Sequence, residues 1–220
     1  RGITGALEVP ATYNEKPVTA IGNDAFSSCT ELTSVRLPES MTYIGVRAFR
    51  KCEKLVQINL PDSITQIDLY AFLDCDVLNN IIIPSGVTVI KDSVFYHCYS
   101  LRTVTLHDKI TEIQASAFNQ SGLTEITIPA SVKHIGSRAF TLASDLKSIA
   151  FLGSAPSLGD EDPFSSTGHN VGGFTMTIYK THEASYASWT TEYTVNVVPD
   201  PNAEPVVLLV TTHYNPTSKT

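Results

Sequence analysis

Phenylalanine recurs at Phe26, Phe49, Phe72, Phe95, Phe118 and Phe140, a stride of 23 residues four times and then 22. No other feature constrains the fold as tightly. Leu55 to Leu78, LVQINLPDSITQIDLYAFLDCDVL, runs through one period to the leucine that opens the next, and almost every apolar residue in it recurs one stride earlier and one later. A fixed stride of this length marks a solenoid, whose units cannot bury their apolar faces alone and must stack.

Each period reads as two short strands and a turn. The first strand follows L-x-x-[VI]-x-[LI], as in Leu32/Val35/Leu37, Leu55/Ile58/Leu60 and Leu101/Val104/Leu106. Its last two apolar positions alternate as one buried strand face requires. Pro38, Pro61, Pro84 and Pro129 end it, because proline cannot donate to a ladder, while His107 and Gly153 stand there in two periods. The second strand carries Met41/Ile44, Ile64/Ile67 and their equivalents, and a turn then leads Ala-Phe or Val-Phe inward. A period of 23 residues is too short for a strand, a crossover helix and two loops. The sequence therefore predicts a β-rich solenoid with one long parallel sheet, its opposite side made of short strand and 3₁₀ or one-turn helix. Strand–crossover–strand chirality predicts a right-handed coil.

Residues 1–30 read as an N-terminal capping coil, in which Ala11 to Pro17 holds five extra residues, expected as a loop. Residues 31–152 are the regular array. Residues 153–199 depart from the period but keep Pro163-Phe164 where Ala-Phe is due. They alternate over Phe174 to Lys180 and Tyr193 to Val198, place Ser/Gly-rich loop over Ser165 to Gly173, and space Tyr186 and Trp189 for one short helix. This segment reads as a C-terminal cap, needed because an open solenoid end exposes apolar core and strand edge. Residues 200–220, with Pro201, Pro205 and Pro216 around Val206 to Val210, read as a linker or the start of a further domain.

Cys29, Cys52, Cys75 and Cys98 keep the same stride, three residues after each phenylalanine. Coils stack about 4.8 Å apart, so these thiols are expected as a buried column of small fillers. Parallel Cβ vectors at that pitch exceed the usual disulfide separation, and free cysteine is commonly buried. No C-x₂-C pair is present, and ligands strung along a column cannot surround a zinc ion. A net charge of −7, with no Lys/Arg cluster, argues against a nucleic-acid partner. No apolar run approaches 18 residues, and Arg1 opens directly on repeat-like sequence, so neither a membrane span nor a signal peptide is expected in this chain.

Across LPDSITQIDLYAFLDC the array resembles the leucine-rich repeats of the BspA-like, or treponemal, class, whose unit ends its strand in proline and carries Ile-Gly-x-x-Ala-Phe-x-x-Cys. Residues 21–29, IGNDAFSSC, match in full; Gly45 and Gly136 keep the glycine, Asp68, Lys91 and Gln114 replace it, and Ser121 replaces the cysteine. The resemblance spans residues 1–199. It implies a right-handed leucine-rich-repeat superhelix with 22–23-residue coils and a C-terminal cap. It further implies a bacterial secreted or cell-surface protein, adhesive in some members, with no catalytic residues and no cofactors. A monomer is expected.

Nucleophile-elbow, P-loop, G-x-G-x-x-G and H-E-x-x-H motifs are all missing. His97 beside Cys98 suggests a thiol–imidazole pair, but adjacent residues on a coil point apart. Asp160-Glu161-Asp162 reads as a solvated acidic loop, or more remotely as calcium ligands. Asn119-Gln120-Ser121 and Asp62-Ser63-Ile64 fit glycan-acceptor patterns that arise by chance. Thr19, Thr42, Thr65, Thr88 and Thr111 form an outward column, readable as a hydroxyl array for a sugar and more simply as strand propensity with cross-strand Thr–Thr bonding.

The surface not needed by the core is the outer face of the first strands, presented as a concave surface by solenoid curvature. Its columns are Ser34, Gln57, Asn80, Thr103, Glu125 and Ser148, then Arg36, Asn59, Ile82, Thr105, Thr127 and Ala150. Arg36, Gln57, Asn59, Asn80, Ile82, Thr103, Thr105, Glu125 and Thr127 are the candidate ligand-binding residues, with Arg102 and Lys147 at the flank. An extracellular protein or glycan is the partner class they suggest. A passive spacer in a larger surface protein is the competing reading.

Overall fold

The computed structural model describes residues 2–168, 172–189, 193 and 195–199. The suggested linker at 200–220 lies outside the described residues. The first coil carries β1 (Gly5–Glu8), β2 (Thr12–Tyr13), β3 (Lys16–Pro17) and β4 (Ala20–Ile21). Its insertion is an antiparallel β2–β3 hairpin rather than the expected loop. Asn14 and Glu15, at φ 47° and 62°, supply the two left-handed residues that a tight primed turn demands.

The array then alternates first and second strands: β5 (Leu32–Arg36), β6 (Tyr43–Ile44), β7 (Gln57–Ile58), β8 (Gln66–Ile67), β9 (Asn80–Ile82), β10 (Val89–Ile90), β11 (Thr103–Thr105), β12 (Glu112–Ile113), β13 (Glu125–Ile128), β14 (His134–Ile135), β15 (Ser148–Phe151) and β16 (Ser157–Leu158). The cap adds β17 (Thr175–Tyr179), a 3₁₀ helix over Lys180–Tyr186, and β18 (Val195–Val198). Pairing between coils is parallel, with equivalent residues opposed, as Val35 faces Ile58 and Ile113 faces Ile135. Instead of one long first-strand sheet there are three ladders, β1-β5-β7, β9-β11 and β13-β15-β17-β18. Second strands form β4-β6-β8 and β10-β12-β14-β16. Both strand sides are thus interrupted at the same boundary, between β7–β8 and β9–β10. With strands of two residues at β7 and β8, loss of a single rung ends a ladder.

The third side stays bonded across that boundary and is built from turns, not the expected 3₁₀ helix. Alternate N–H groups reach forward to the next coil: Tyr70 to Asp92, Phe72 to Val94 and Asp74 to Tyr96, at 3.0–3.2 Å. The intervening ones close tight turns within the coil, as Leu73 does on Tyr70 and Cys75 on Phe72. A helix would keep all these donors inside one coil. The alternation needs a left-handed residue every fourth position, met at Arg47 (55°), Lys51 (57°), Tyr70 (59°) and Asp74 (57°).

Inside, Phe26, Phe49, Phe72, Phe95, Phe118, Phe140 and Phe164 stack with centroids 5.3–5.7 Å apart and planes within 16°. This repeat exceeds the ~4.8 Å between neighbouring strands. Coils therefore splay toward the turns, and the first-strand sheet lies on the inner side of the curve. The cysteines are free and buried. Cys52, Cys75 and Cys98 each donate to the carbonyl of Phe26, Phe49 or Phe72 at 3.2 Å. In the cap, Thr167 Oγ1 does the same to Phe140, at 2.8 Å. Tyr186 and Trp189 close the end against Phe151, and the Tyr186 hydroxyl donates to Gly153 O at 2.9 Å. Among the described residues no helix is long and apolar enough to cross a membrane.

Candidate ligand-binding face

Strand alternation puts Val35, Ile58, Ile81, Val104, Ile126 and Ile149 inside, so their neighbours must face out. Arg36, Gln57, Asn59, Asn80, Ile82, Thr103, Thr105, Glu125 and Thr127 are all exposed; Ser34, Ser148 and Ala150 are half-buried. Register brings Gln57 beside Ser34, Asn80 beside Thr103, Ile82 beside Thr105, and Thr127 beside Ala150. Toward the cap, Thr103, Thr105, Glu125, Thr127 and Ala150 line a shallow depression of about 420 Å³. Ile82, 70% exposed, stands next to it.

Two members differ in chemistry from a free polar surface. Asn59 Oδ1 accepts from Leu37 N at 2.6 Å and its Nδ2 donates to Leu37 O at 3.1 Å. Its amide therefore completes the backbone pairing where the proline-ended strand lacks a rung. Arg36 lies 3.8 Å from Glu8 across the β1–β5 pair, with both side chains 79% exposed, a contact that contributes little. At the flank, Arg102 is held by Asp145 at 2.5 Å and Gly122 O at 2.8 Å, so it is not a free cation. Lys147 is exposed.

The other sequence candidates dissolve into structural roles. His97 Nδ1 meets Asp74 Oδ1 at 2.9 Å, while the Cys98 thiol turns inward to Phe72 O. Burial pushes the Cys98 thiol far above its ordinary range, the reverse of what a nucleophile needs. Glu161 pairs with Arg138, and Asp162 accepts from Phe164 N and the Tyr193 hydroxyl, so two of the three acids are engaged in holding the cap. Asn119 is 5% exposed and cannot serve as a glycan acceptor in the folded chain. The Ser63 hydroxyl is bonded to Met41 O at 2.6 Å. The threonine column is exposed as expected, but its hydroxyls bond backbone rather than one another: Thr42 to Thr19 O, Thr65 to Thr42 O, Thr111 to Thr88 O, at 3.1–3.3 Å. Tyr99 and Leu142, exposed apolar residues off the strand face, were not among the candidates. Their signal in the sequence is the single 22-residue stride.

The BspA type Leucine rich repeat region matches residues 12–122 and 67–178, in 6 copies. The crystal structure of the T. pallidum leucine-rich-repeat protein is similar at 28% identity over 86% of this chain and 84% of that one, with a TM-score of 0.71. A leucine rich cell surface protein from Faecalibacterium prausnitzii is similar at 28% identity, covering 81% of this chain and 64% of that one, with a TM-score of 0.59. No curated protein matches the sequence. Stride, stacked phenylalanine column, proline-ended strands and these likenesses agree: the chain belongs to the BspA-type leucine-rich-repeat family.

Proposed function

We propose that this chain is a non-catalytic binding module of a bacterial secreted or cell-surface protein, engaging an extracellular protein or glycan through the outer face of its first strands. The observation that carries this reading is Ile82, 70% exposed at the centre of that face. A solvated sheet face needs no isoleucine, and an apolar side chain ringed by Asn80, Thr103 and Thr105 has the make-up of an interface centre with a polar rim. The F. prausnitzii relative, described as a cell surface protein, supports the location. Since the face holds few charges, binding is expected to vary weakly with salt.

The test is a screen of host-matrix proteins and glycans against the folded chain, followed by Asn80→Ala combined with Ile82→Glu. Asn59 is left intact because loss of its amide would strip the Leu37 backbone of two hydrogen-bond partners. The expected result is loss of at least about tenfold in affinity, the effect of removing one central anchor. Unchanged binding by the double variant would refute the assignment to this face.

A further inference from the structure

In most coils of the array six residues lead from the core phenylalanine to the leucine that opens the next strand, as from Phe95 to Leu101 and from Phe140 to Leu146; from Phe118 to Leu123 there are five. The 22-residue stride is therefore a deletion located at Asn119 to Gly122. The chain crosses the shortened path only because residue 122 is glycine, since a Cβ there would overlap the Tyr99 carbonyl oxygen. Where the missing residue would have stood, a notch of about 240 Å³ opens between the coils on either side. It lies at the rim between the turn side and the first strands, away from the face described above.

The notch is lined by chemistry that the core does not use. Ser121 occupies the cysteine position, yet its hydroxyl does not make the carbonyl bond that Cys52, Cys75 and Cys98 make; it is 3% exposed, and its Oγ has no partner among the described residues. Around it stand Gln120, Ser144 and Asp145 as polar groups, with Tyr99 and Leu142 as exposed apolar walls. The Asp145 carboxylate is balanced by Arg102 at 2.5 Å, so the site does not select an ion. His97 covers one face of the Tyr99 ring, 5.4 Å away and tilted by 18°, fixing the ring while 49% of the residue stays exposed.

A fixed aromatic wall, an aliphatic wall and neutral hydrogen-bonding groups at one small opening suit a ring with an apolar C–H face and hydroxyls at its edge. We propose that this notch binds a terminal neutral pyranose of a glycan, with the polar groups of Gln120 and Ser144 pairing ring hydroxyls and Tyr99 as the platform. The site stands independently of the strand-face reading, because no residue is shared between them.

Methyl pyranosides of glucose, galactose, mannose and N-acetylglucosamine, titrated into the isotope-labelled chain, test this by amide chemical shifts. At least one is expected to move the amides of Tyr99, Gln120 to Gly122 and Leu142 to Asp145 with millimolar saturation, leaving Ile82 unmoved. Tyr99→Ala and Gln120→Ala are each expected to weaken binding about tenfold, as loss of one such contact does. Ile82→Glu is expected to leave it unchanged. Should Gln120→Ala disturb the fold, the exposed Tyr99→Ala decides alone. No shifts at tens of millimolar of any of the four sugars, shifts confined to the strand face, or full affinity in Tyr99→Ala would overturn the proposal.

Discussion

Phe72 and Phe26 are the same residue type in the same repeat position, yet they differ in what they stabilise. Phe72 is fully buried, between Phe49 at 5.5 Å and Phe95 at 5.6 Å, whereas Phe26 is half-buried with Phe49 as its stacking neighbour. Phe72→Ala removes contacts on two sides and leaves a cavity that the stacked coils cannot close, so it is expected to cost about 3–5 kcal/mol. Phe26→Ala, open to solvent and to one fewer ring, is expected to cost less. Chemical denaturation of the two variants measures the difference, and equal losses would contradict a stacked column. At this scale the sequence was nearly complete: the stride alone identified each ring and each thiol.

As an element, the cysteine column couples burial to proton binding. Desolvation holds the Cys52 thiol up at about 12 against an ordinary 9.0, and burial shifts Cys75 and Cys98 in the same direction. Unfolded thiols ionise from their ordinary value upward, so in this window the folded chain retains protons that the unfolded chain releases. Stability is accordingly full below about pH 9 and falls as pH rises toward 12. Tyr43, Tyr99 and Tyr186 are raised mainly by burial and act in the same direction. Melting temperature against pH is expected to drop on the alkaline side, with a shallower drop in Cys75→Ala. Thiol titration of the native chain is expected to find slow reaction, and four reactive groups on denaturation; prompt native reaction would remove the buried column.

For the whole molecule, the boundary between β7–β8 and β9–β10 divides strand pairing but not the core. Thr111 N–H bonds Thr88 O and Gln114 N–H bonds Ile90 O, at 2.8 Å each. Thr88 and Lys91, the same positions one coil earlier, make no such bond to the preceding coil among the described residues. The Phe72–Phe95 stack and the turn-side bonds nevertheless continue across. Amide hydrogen exchange is therefore expected to be faster at Thr88 and Lys91 than at Thr111 and Gln114, since local opening there breaks fewer bonds. Equal protection at the four amides would indicate that the ladders are continuous in solution.

The stride, the proline stops and strand alternation determined by themselves the solenoid, its core columns, and which strand residues face outward, because each is a consequence of local geometry repeated at a fixed interval. Ala11 to Pro17 becoming a hairpin, the turn side taking left-handed turns in place of helix, and Asn59 being spent on Leu37 depended on partners one coil away. Those partners are about 23 residues off in sequence, and which backbone group meets which is set by the stacking distance and lateral register of the coils, quantities that exist only once they pack. The notch at Gly122 shows the same division. Its cause, a stride of 22, is written in the chain; that the missing residue leaves an open space beside an unpaired hydroxyl, rather than a tighter coil, was decided by neighbouring coils too well bonded to close over it.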